Sequence, residues 1–472
     1  MAALCLVLAP ATAATLNFTV TASEPVIVSG TPRIAIDVGG ITRYATYASG
    51  SGTAALSFTF TVQAGDFDAD GIALASPIER NGGSIADLAS NPASNFSFSL
   101  PNTSALKVQT YTATLAAVTN SNANAASFTI SKAPIGGSFT YTITTSGGAN
   151  TVTGSGTISS SAHTVSGVDV STFPPGTLTL SVTVSTSAGG TGTARTATAT
   201  PSFTGVLDSL PATSAAYSLR RLRSGYTGAL VRVRRSSDNT EQDIGATLAG
   251  NLNTAALASF CGSSSCFART LYDQSGNAIN AIQTNTASQP RIYAAGVTEL
   301  DGAQPALRYT AFGQFLSVSI PGQTILATWN VVARNTDTTS QRHVLGDRGI
   351  AGNFGRIIRA NVGGASYGGG NIGGATVNLS GAVTQQRVIT ILSGVTNVSG
   401  AYDGVFATGG NSSYYATSGV SMWVGGGGVG QQSTGDWIGT ISEVTIFNST
   451  LSTTNRQTLE RNQGAYYGIL VQ

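Results

Sequence analysis

Aromatic and carboxylate side chains adjoin a glycine-rich stretch near the C-terminal end of the sequence. Trp423 and Trp437 are two of the three tryptophans, and they flank the stretch from Gly425 to Gly435, which is followed by Asp436. An aromatic ring can stack on the apolar face of a sugar while nearby polar groups bind its hydroxyls. The pattern predicts a glycan site built on Asp436 and Trp437, with Trp423 beside it. The alternative is that both tryptophans belong to a hydrophobic core, and for Trp423 we favour that alternative.

The motif Tyr272-Asp273-Gln274-Ser275-Gly276-Asn277 is a second candidate for ligand contact. An aspartate followed by Ser-Gly-Asn readily forms a turn that its side chain caps, and Tyr272 can pack inward. We therefore interpret the motif as structural, with direct ligand contact as the alternative. The further candidate ligand-binding residues are Tyr272, Asp273, Asn277, Tyr414 and Tyr415.

Three carboxylates, Asp66, Asp68 and Asp70, alternate along the chain and are followed by Gly71. This is the beginning of a calcium-binding loop, but position twelve of such a loop would be Pro77, which excludes an EF-hand. Two interpretations remain, a looser calcium site between strands and a plain acidic turn.

Cys261 and Cys266 are separated by Gly-Ser-Ser-Ser, a flexible loop that allows a disulfide in an oxidising compartment. The alternative is a pair of buried free thiols. A zinc site is disfavoured because the only histidines, His163 and His343, lie far away in the sequence.

The composition favours β-structure and excludes a nucleic-acid-binding surface. Only 9% of the 472 residues are charged and the formal net charge is +2, so the clustered basic face that nucleic acid requires is missing. The abundant Thr, Ser, Val and Gly suit strands and tight turns. We expect an all-β protein without a membrane span, because no later apolar stretch reaches about 18 residues.

The N-terminus begins with a short apolar run, and Ala11-Thr12-Ala13 has the small-x-small form that signal peptidase cleaves. We predict a signal peptide at residues 1–13, truncated because the usual basic region does not precede it. The protein is then secreted, extracellular or on a cell surface. The alternative is an ordinary apolar N-terminus.

Two sandwich domains are predicted before residue 204. The runs LNFTV, RIAIDV and ALSFTFTV alternate with period two, and turn residues separate them. Residues 15–101, with the text VIVSGTPRIAIDVGGITRYATYASG, resemble bacterial immunoglobulin-like repeats of surface adhesins, which implies a spacer at residues 14–106. A second such domain is expected at residues 107–203, where GTLTLSVTVSTSAGG resembles the same family more weakly.

The amino-acid composition changes after Pro201, where arginines, aromatic residues and the cysteine pair occur close together. The texts SAAYSLRRLRSGYTGALVRVRRSSD and FCGSSSCFARTLYDQSGNAINAIQ resemble the catalytic domain of α-L-arabinofuranosidase B, which implies a concanavalin-A-like jelly roll at residues 204–472. The closing text GTISEVTIFNSTLSTTNRQTLERNQGAYYGI is similar to the end of laminin-G-like domains.

Both catalytic carboxylates of that family are missing from the expected positions. Its retaining mechanism uses a nucleophile and an acid about 5 Å apart. The family's nucleophile is a glutamate in a segment that begins with adjacent cysteines, yet this chain has no adjacent cysteines and no glutamate between Glu299 and Glu443. The family's acid is an aspartate after a Gly-Gly pair, where this chain continues with glycine. Asp347 and Asp436 are the pair that could still meet.

We therefore expect a non-catalytic adhesin whose C-terminal jelly roll binds glycans or cell-surface polysaccharide. One alternative is a structural subunit of an extracellular fibre, surface layer or virion appendage, in which exposed strand edges drive self-association. The other is a divergent α-L-arabinofuranosidase-type glycoside hydrolase. No cofactor other than Ca²⁺ at the three aspartates is expected.

Overall fold

Antiparallel strands dominate the computed structural model, which describes residues 15–93, 95–320, 326–348, 354–363, 366–371, 376–394, 397–410, 420–426 and 435–472. The predicted signal peptide, Tyr414 and Tyr415 lie outside these residues. The chain divides into two compact units. Unit 1 comprises residues 1–118, 122–170 and 176–201, and unit 2 comprises residues 119–121, 171–175 and 202–472. The prediction of an all-β protein is confirmed.

The described residues of unit 1 form sixteen strands in four sheets. The strands are β1 (Thr15–Ser29), β2 (Arg33–Val38), β3 (Ile41–Ser49), β4 (Thr53–Thr61), β5 (Phe67–Asp68), β6 (Ala73–Leu74), β7 (Ser84–Asp87), β8 (Val108–Gln109), β9 (Thr112–Leu115), β10 (Ala126–Ser131), β11 (Ser138–Thr145), β12 (Thr151–Thr157), β13 (Ala162–Val168), β14 (Leu178–Thr186), β15 (Gly190–Thr191) and β16 (Arg195–Ala199). The sheet orders are β6-β2-β3-β4-β1-β7, β13-β10-β9, β12-β11-β14-β15 with β16 also on β14, and β5-β8. The division of this unit into two domains at residue 106 stays a prediction.

The period-two alternation of the sequence sets which face of these strands is buried. Phe18 of β1 lies opposite Phe58 of β4, and both are fully buried in one core cluster. The intervening threonines and serines of β4 face the other side. A shift of one residue would exchange the two faces, so this alternation fixes the register.

The described residues of unit 2 form twenty-one strands and two α-helices. They are β17 (Ala215–Ser218), β18 (Val231–Arg235), β19 (Glu241–Ile244), α1 (Thr254–Cys261), β20 (Cys266–Leu271), β21 (Ala281–Ile282), β22 (Arg291–Ala294), β23 (Val297–Thr298), β24 (Leu300–Asp301), β25 (Gln304–Pro305), β26 (Leu307–Tyr309), β27 (Leu316–Ile320), β28 (Ala327–Asn335), β29 (Arg342–Arg348), β30 (Phe354–Ala360), β31 (Ser366–Asn371), β32 (Thr376–Ser380), β33 (Arg387–Ser393), β34 (Val398–Tyr402), β35 (Val405–Thr408), β36 (Val420–Val424), β37 (Gly439–Phe447) and α2 (Thr453–Tyr467).

Strand β37 is central to unit 2. It pairs antiparallel with β17, β26 and β28, and all nine of its residues are buried. The strand follows directly on the segment that contains Asp436, so its position in the sheet fixes where that residue lies. A strand buried on both faces carries polar side chains only where they have partners.

Helix α2 begins and ends at residues that the sequence marks for those roles. The Ser452 side chain accepts a hydrogen bond from the backbone N–H of Asn455, which satisfies one free donor of the first turn. Gly468 follows the last turn with φ of +71°, a conformation that favours glycine.

A buried ion pair joins the segment after β17 to β37. Arg220 donates through Nε to Glu443 Oε2 at 2.8 Å and through Nη2 to Oε1 at 3.2 Å, and both side chains are almost fully buried. Burial alone raises the pKa of Glu443, but the Arg220 charge and the hydrogen bonds outweigh it, so the pKa is lowered. The carboxylate therefore stays ionised inside the core.

Helix α2 is tied to the same carboxylate. Gln463 donates to Glu443 Oε1 at 2.9 Å and to Asn330 of β28 at 2.6 Å, and the Tyr467 hydroxyl donates to Glu443 Oε2 at 3.1 Å. On the adjoining strand β33, Thr390 donates to Glu460 at 2.6 Å. These contacts connect α2, β28, β33 and β37 through one buried polar network.

Cys261 and Cys266 form the predicted disulfide, which joins the end of α1 to the start of β20. Both cysteines are buried in the main core cluster of unit 2. The bridge therefore closes a short loop between two elements that pack into the same core.

Replacing both cysteines, C261S/C266S, should lower the free energy of unfolding of unit 2 by about 2 kcal/mol, because the short closed loop no longer restricts the unfolded chain. All three tryptophans lie in unit 2, so tryptophan fluorescence during urea titration reports on this unit. Wild-type protein treated with reductant serves as the control and should show the same loss. An unchanged midpoint would contradict the prediction.

Glu443→Gln should destabilise unit 2 by about 3–5 kcal/mol, because it leaves the Arg220 charge buried without its partner. The matched control is Asp243→Asn, which breaks the half-exposed ion pair with Arg232 and should cost less than about 1 kcal/mol. The same fluorescence titration measures both variants. Equal losses in the free energy of unfolding would contradict the prediction, because they would show that burial of the ion pair does not determine its contribution to stability.

Candidate functional site

The Asp273 carboxylate caps its own turn. Oδ1 accepts from the backbone N–H groups of Ala216 and Ser275, each at 2.9 Å, and Oδ2 accepts from the Ser275 hydroxyl at 2.6 Å and the Ile279 N–H at 3.0 Å. The side chain is buried. Four donors from three residues use both oxygens, so the structure supports the structural interpretation of Asp273.

The neighbours of Asp273 in the motif brace the same region. Gln274 accepts from the Leu222 N–H at 2.8 Å and donates to the Arg220 carbonyl at 2.8 Å. Asn277 donates to the Thr213 and Ser214 carbonyls, each at 3.0 Å. The motif thus holds residues 213–222 in place, and with them the Arg220 side chain.

Tyr272 is half-buried, whereas Gly276 and Asn277 at the end of the motif are exposed. Its hydroxyl donates to Asp243 Oδ1 at 2.7 Å, and burial together with that carboxylate raises its pKa to about 12. Tyr272 therefore remains a neutral hydrogen-bond donor, committed to Asp243.

The two tryptophans proposed as sugar platforms are both buried. Trp437 has no exposed surface, belongs to the main core cluster of unit 2 and donates through Nε1 to the Thr440 carbonyl at 3.2 Å. Trp423 of β36 is 6% exposed and lies between Ser317 and Gly346 on the neighbouring strands. Neither ring offers a face on which a sugar can stack, which corrects the expectation for Trp437 and supports the core interpretation that we favour for Trp423.

Asp436 lies beside the glycine-rich stretch. It forms a parallel bridge with His343, and its Oδ2 accepts from the Gly313 N–H at 2.8 Å. A Cβ added to Gly426 would stand 3.4 Å from Asp436 Oδ1. The carboxylate therefore adjoins the backbone of Gly426, which has no side chain to occupy that space.

His343 is the titratable neighbour of Asp436 along the bridge. It is 4% exposed, and its Nε2 lies 3.4 Å from Gln341 Oε1. Burial lowers its pKa to about 4, and the positive charges of Arg359 and Arg342 act in the same direction. The imidazole is therefore neutral near pH 7.

The predicted pair of Asp347 and Asp436 is only partly described. Asp347 lies in β29, and its backbone is opposite Met422 of β36. Its side chain lies outside the described residues. His343, which bridges Asp436, precedes Asp347 by four residues on the same strand.

Most other carboxylates of unit 2 are paired with arginine, which commits them to structure. Their ion pairs hold loops and strand edges together within the described residues. The paired carboxylates are Asp238, Glu241, Asp243, Glu299, Asp301, Asp337, Asp403, Glu443 and Glu460.

The predicted calcium ligands in unit 1 are held by protein groups. Asp66 forms an ion pair with Arg43 at 2.6 Å, and Asp68 accepts from the N–H groups of Gly39 at 2.8 Å and Gly71 at 2.7 Å. Across the described residues, no group of three or more His, Cys, Asp or Glu side chains is arranged to hold a metal ion. These contacts of Asp66 and Asp68 favour the acidic turn, and the calcium site at Asp66, Asp68 and Asp70 stays a prediction.

One half-exposed aromatic residue at this site was missed by sequence reasoning. Phe312 precedes Gly313, the donor to Asp436, and is 50% exposed. A single phenylalanine in a loop has no spacing that distinguishes it, so nothing in the sequence pointed to it.

Residues 208–320 match the family described as Alpha-L-arabinofuranosidase B, catalytic. The chain is 43% identical over 67 residues to alpha-L-arabinofuranosidase B of Aspergillus oryzae, which covers 14% of this chain and 13% of that protein. It is 39% identical over 66 residues to an alpha-L-arabinofuranosidase of Hypocrea jecorina, with the same coverage. The chain thus spans about an eighth of the length of these curated relatives.

A solved arabinofuranosidase complexed with arabinofuranosyl-alpha-1,2-xylobiose is similar at 18% identity and a TM-score of 0.41, covering 54% of this chain and 63% of that chain.

Among the described residues, no helix combines the length and the apolar character needed to cross a membrane.

These matches correct the expectation of a non-catalytic adhesin. The matched family and the curated relatives are named as hydrolases. The hydrolase alternative is therefore better supported than the non-catalytic one.

The stability of unit 2 should depend on His343 between pH 6.5 and 4. Its pKa is lower in the folded protein, so the unfolded chain binds more protons in this window and stability falls as the pH falls. Wild-type protein should lose about 3 kcal/mol relative to His343→Gln over the window. Urea titrations of both proteins at several pH values measure the difference, and parallel pH profiles would contradict it.

Proposed function

We propose that unit 2 is a glycoside hydrolase of the α-L-arabinofuranosidase type, with Asp436 as its general acid. The match of residues 208–320 to an arabinofuranosidase catalytic family supports the reaction class. The substrates are then glycans that carry α-L-arabinofuranosyl groups.

One observation carries the assignment of Asp436. The family's acid is an aspartate that follows a Gly-Gly pair, and this chain has glycines from Gly425 to Gly428 instead. The Asp436 carboxylate lies next to that pair, because its Oδ1 is 3.4 Å from where a Gly426 Cβ would stand. An acid from a neighbouring segment thus adjoins the place where the family's acid is expected.

The hydrogen bond from the Gly313 N–H fixes the orientation of this carboxylate. An oriented carboxyl group can protonate the leaving-group oxygen of a glycosidic bond, which is the role of the acid in this chemistry. His343 is neutral near pH 7 and adds no charge beside it.

Asp347 is the second carboxylate of the proposal. It follows His343, the residue that bridges Asp436, by four residues on β29. Carboxyl groups of retaining enzymes lie about 5 Å apart and those of inverting enzymes about 6.5–9.5 Å apart.

The remaining parts of the proposal concern the setting of this unit. Residues 204–472 form a concanavalin-A-like jelly roll, residues 14–106 and 107–203 are immunoglobulin-like spacers, and the protein is exported to the outside of the cell. The alternating strands of unit 1 and the likeness of its text to surface-protein repeats support the spacers.

The test compares two leaving groups in the full-length chain. Asp436→Asn should reduce kcat/KM on arabinofuranosyl-α-1,2-xylobiose by about 10²–10⁴-fold, because a sugar alkoxide needs protonation to leave. It should reduce hydrolysis of 4-nitrophenyl α-L-arabinofuranoside far less, because nitrophenolate leaves without it. Asp347→Asn should reduce both rates, and Asp243→Asn is the matched control that should reduce neither.

An equal loss of both rates in Asp436→Asn would argue for a structural defect and against the general-acid role. Full activity of Asp436→Asn on both substrates would exclude Asp436 from the chemistry.

A further inference from the structure

The loop that contains Phe312 is held rigidly. Gln314 is buried, and its Oε1 accepts from the N–H groups of Thr310 at 2.6 Å and Ala311 at 3.1 Å. Its Nε2 donates to the Gln289 carbonyl at 3.1 Å. Three hydrogen bonds from one side chain thus fix the backbone on both sides of Phe312.

The same loop is tied to the proposed acid. Gly313, the residue after Phe312, donates its N–H to Asp436 Oδ2 at 2.8 Å. The Phe312 ring is therefore held within one residue of the group that contacts the carboxylate.

One side of the Phe312 ring is supported by a buried cation. The Arg342 guanidinium carbon lies 4.7 Å from the ring centroid, and Arg342 is itself 3% exposed and ion-paired with Asp337. Half of the phenylalanine surface remains exposed. A ring that is held on one side and open on the other is suited to stacking on the C–H face of a sugar.

Phe406 shows that such a ring is not by itself a binding site. It is also 50% exposed and also lies over a buried arginine, Arg456, at 5.2 Å. Scattered exposed hydrophobic residues are normal on protein surfaces. What distinguishes Phe312 is its hydrogen-bonded connection to Asp436.

We infer that Phe312 is the aromatic platform of the glycan subsite next to Asp436. This deepens the proposed function and rests on it. The ring stacks on a sugar of the arabinofuranosyl-substituted glycan and holds the glycosidic bond near the carboxylate. The role is one of binding and positioning, so it acts mainly on KM.

The test uses full-length protein and arabinofuranosyl-α-1,2-xylobiose. Phe312→Ala should raise KM by about tenfold and leave kcat within about threefold, whereas Phe312→Trp should retain the wild-type KM. Phe312→Leu keeps an apolar side chain without the ring and should behave like Phe312→Ala. Phe406→Ala is the matched control and should leave both constants unchanged.

Wild-type behaviour of Phe312→Ala would overturn the inference, as would equal effects of Phe312→Ala and Phe406→Ala. A wild-type KM in Phe312→Leu would also overturn the inference, because it would show that any apolar side chain suffices and that the sugar does not stack on an aromatic ring. Fluorescence-monitored urea titration checks that each variant is folded.

A separate binding measurement distinguishes failure of the hydrolase proposal from failure of the platform inference. If the wild-type protein does not cleave the trisaccharide, calorimetry with the same compound gives Kd for the same variants. Loss of binding in Phe312→Ala alone would support the platform while the hydrolase proposal falls. Absence of binding by the wild-type protein would overturn the platform.

Discussion

The buried ion pair between Arg220 and Glu443 is the constraint on which the architecture of unit 2 depends. A carboxylate inside a core must be paired and hydrogen-bonded on every side, or the unit loses several kcal/mol. Glu443 meets this requirement with Arg220, Gln463, Tyr467 and Ser218, which belong to different parts of the chain. The central strand, the closing helix and the segment after β17 are thereby fixed together.

The residues that carry the family likeness serve this frame. The Asp273 turn and Gln274 hold residues 213–222 in place. Gln274 accepts a hydrogen bond from the Leu222 N–H and donates one to the Arg220 carbonyl. The proposed acid Asp436 lies outside the matched stretch of residues 208–320. A frame that is preserved while the acid comes from a neighbouring segment accounts for a clear sequence match without carboxylates at the family's positions.

Local patterns predicted local features well. Alternation predicted the strands and their buried faces, and the spacing of Cys261 and Cys266 allowed their disulfide. Contacts between distant residues were beyond such patterns. The spacing of the three aspartates does not reveal that Arg43 of β3 pairs with Asp66. Trp437 was misjudged because a tryptophan beside glycines has the same sequence pattern in a core and in a loop. Phe312 becomes a candidate only through the hydrogen bond between Gly313 and Asp436, which are 123 residues apart in the chain.

The central claim is that unit 2 cleaves α-L-arabinofuranosides. The most direct measurement is the initial rate of 4-nitrophenol release by the full-length wild-type chain from a panel of 4-nitrophenyl glycosides that differ only in the sugar. The account predicts release from the α-L-arabinofuranoside well above the rates for the pyranosides of the panel. No release from the arabinofuranoside above the rate in buffer, with unit 2 folded by fluorescence, would contradict it.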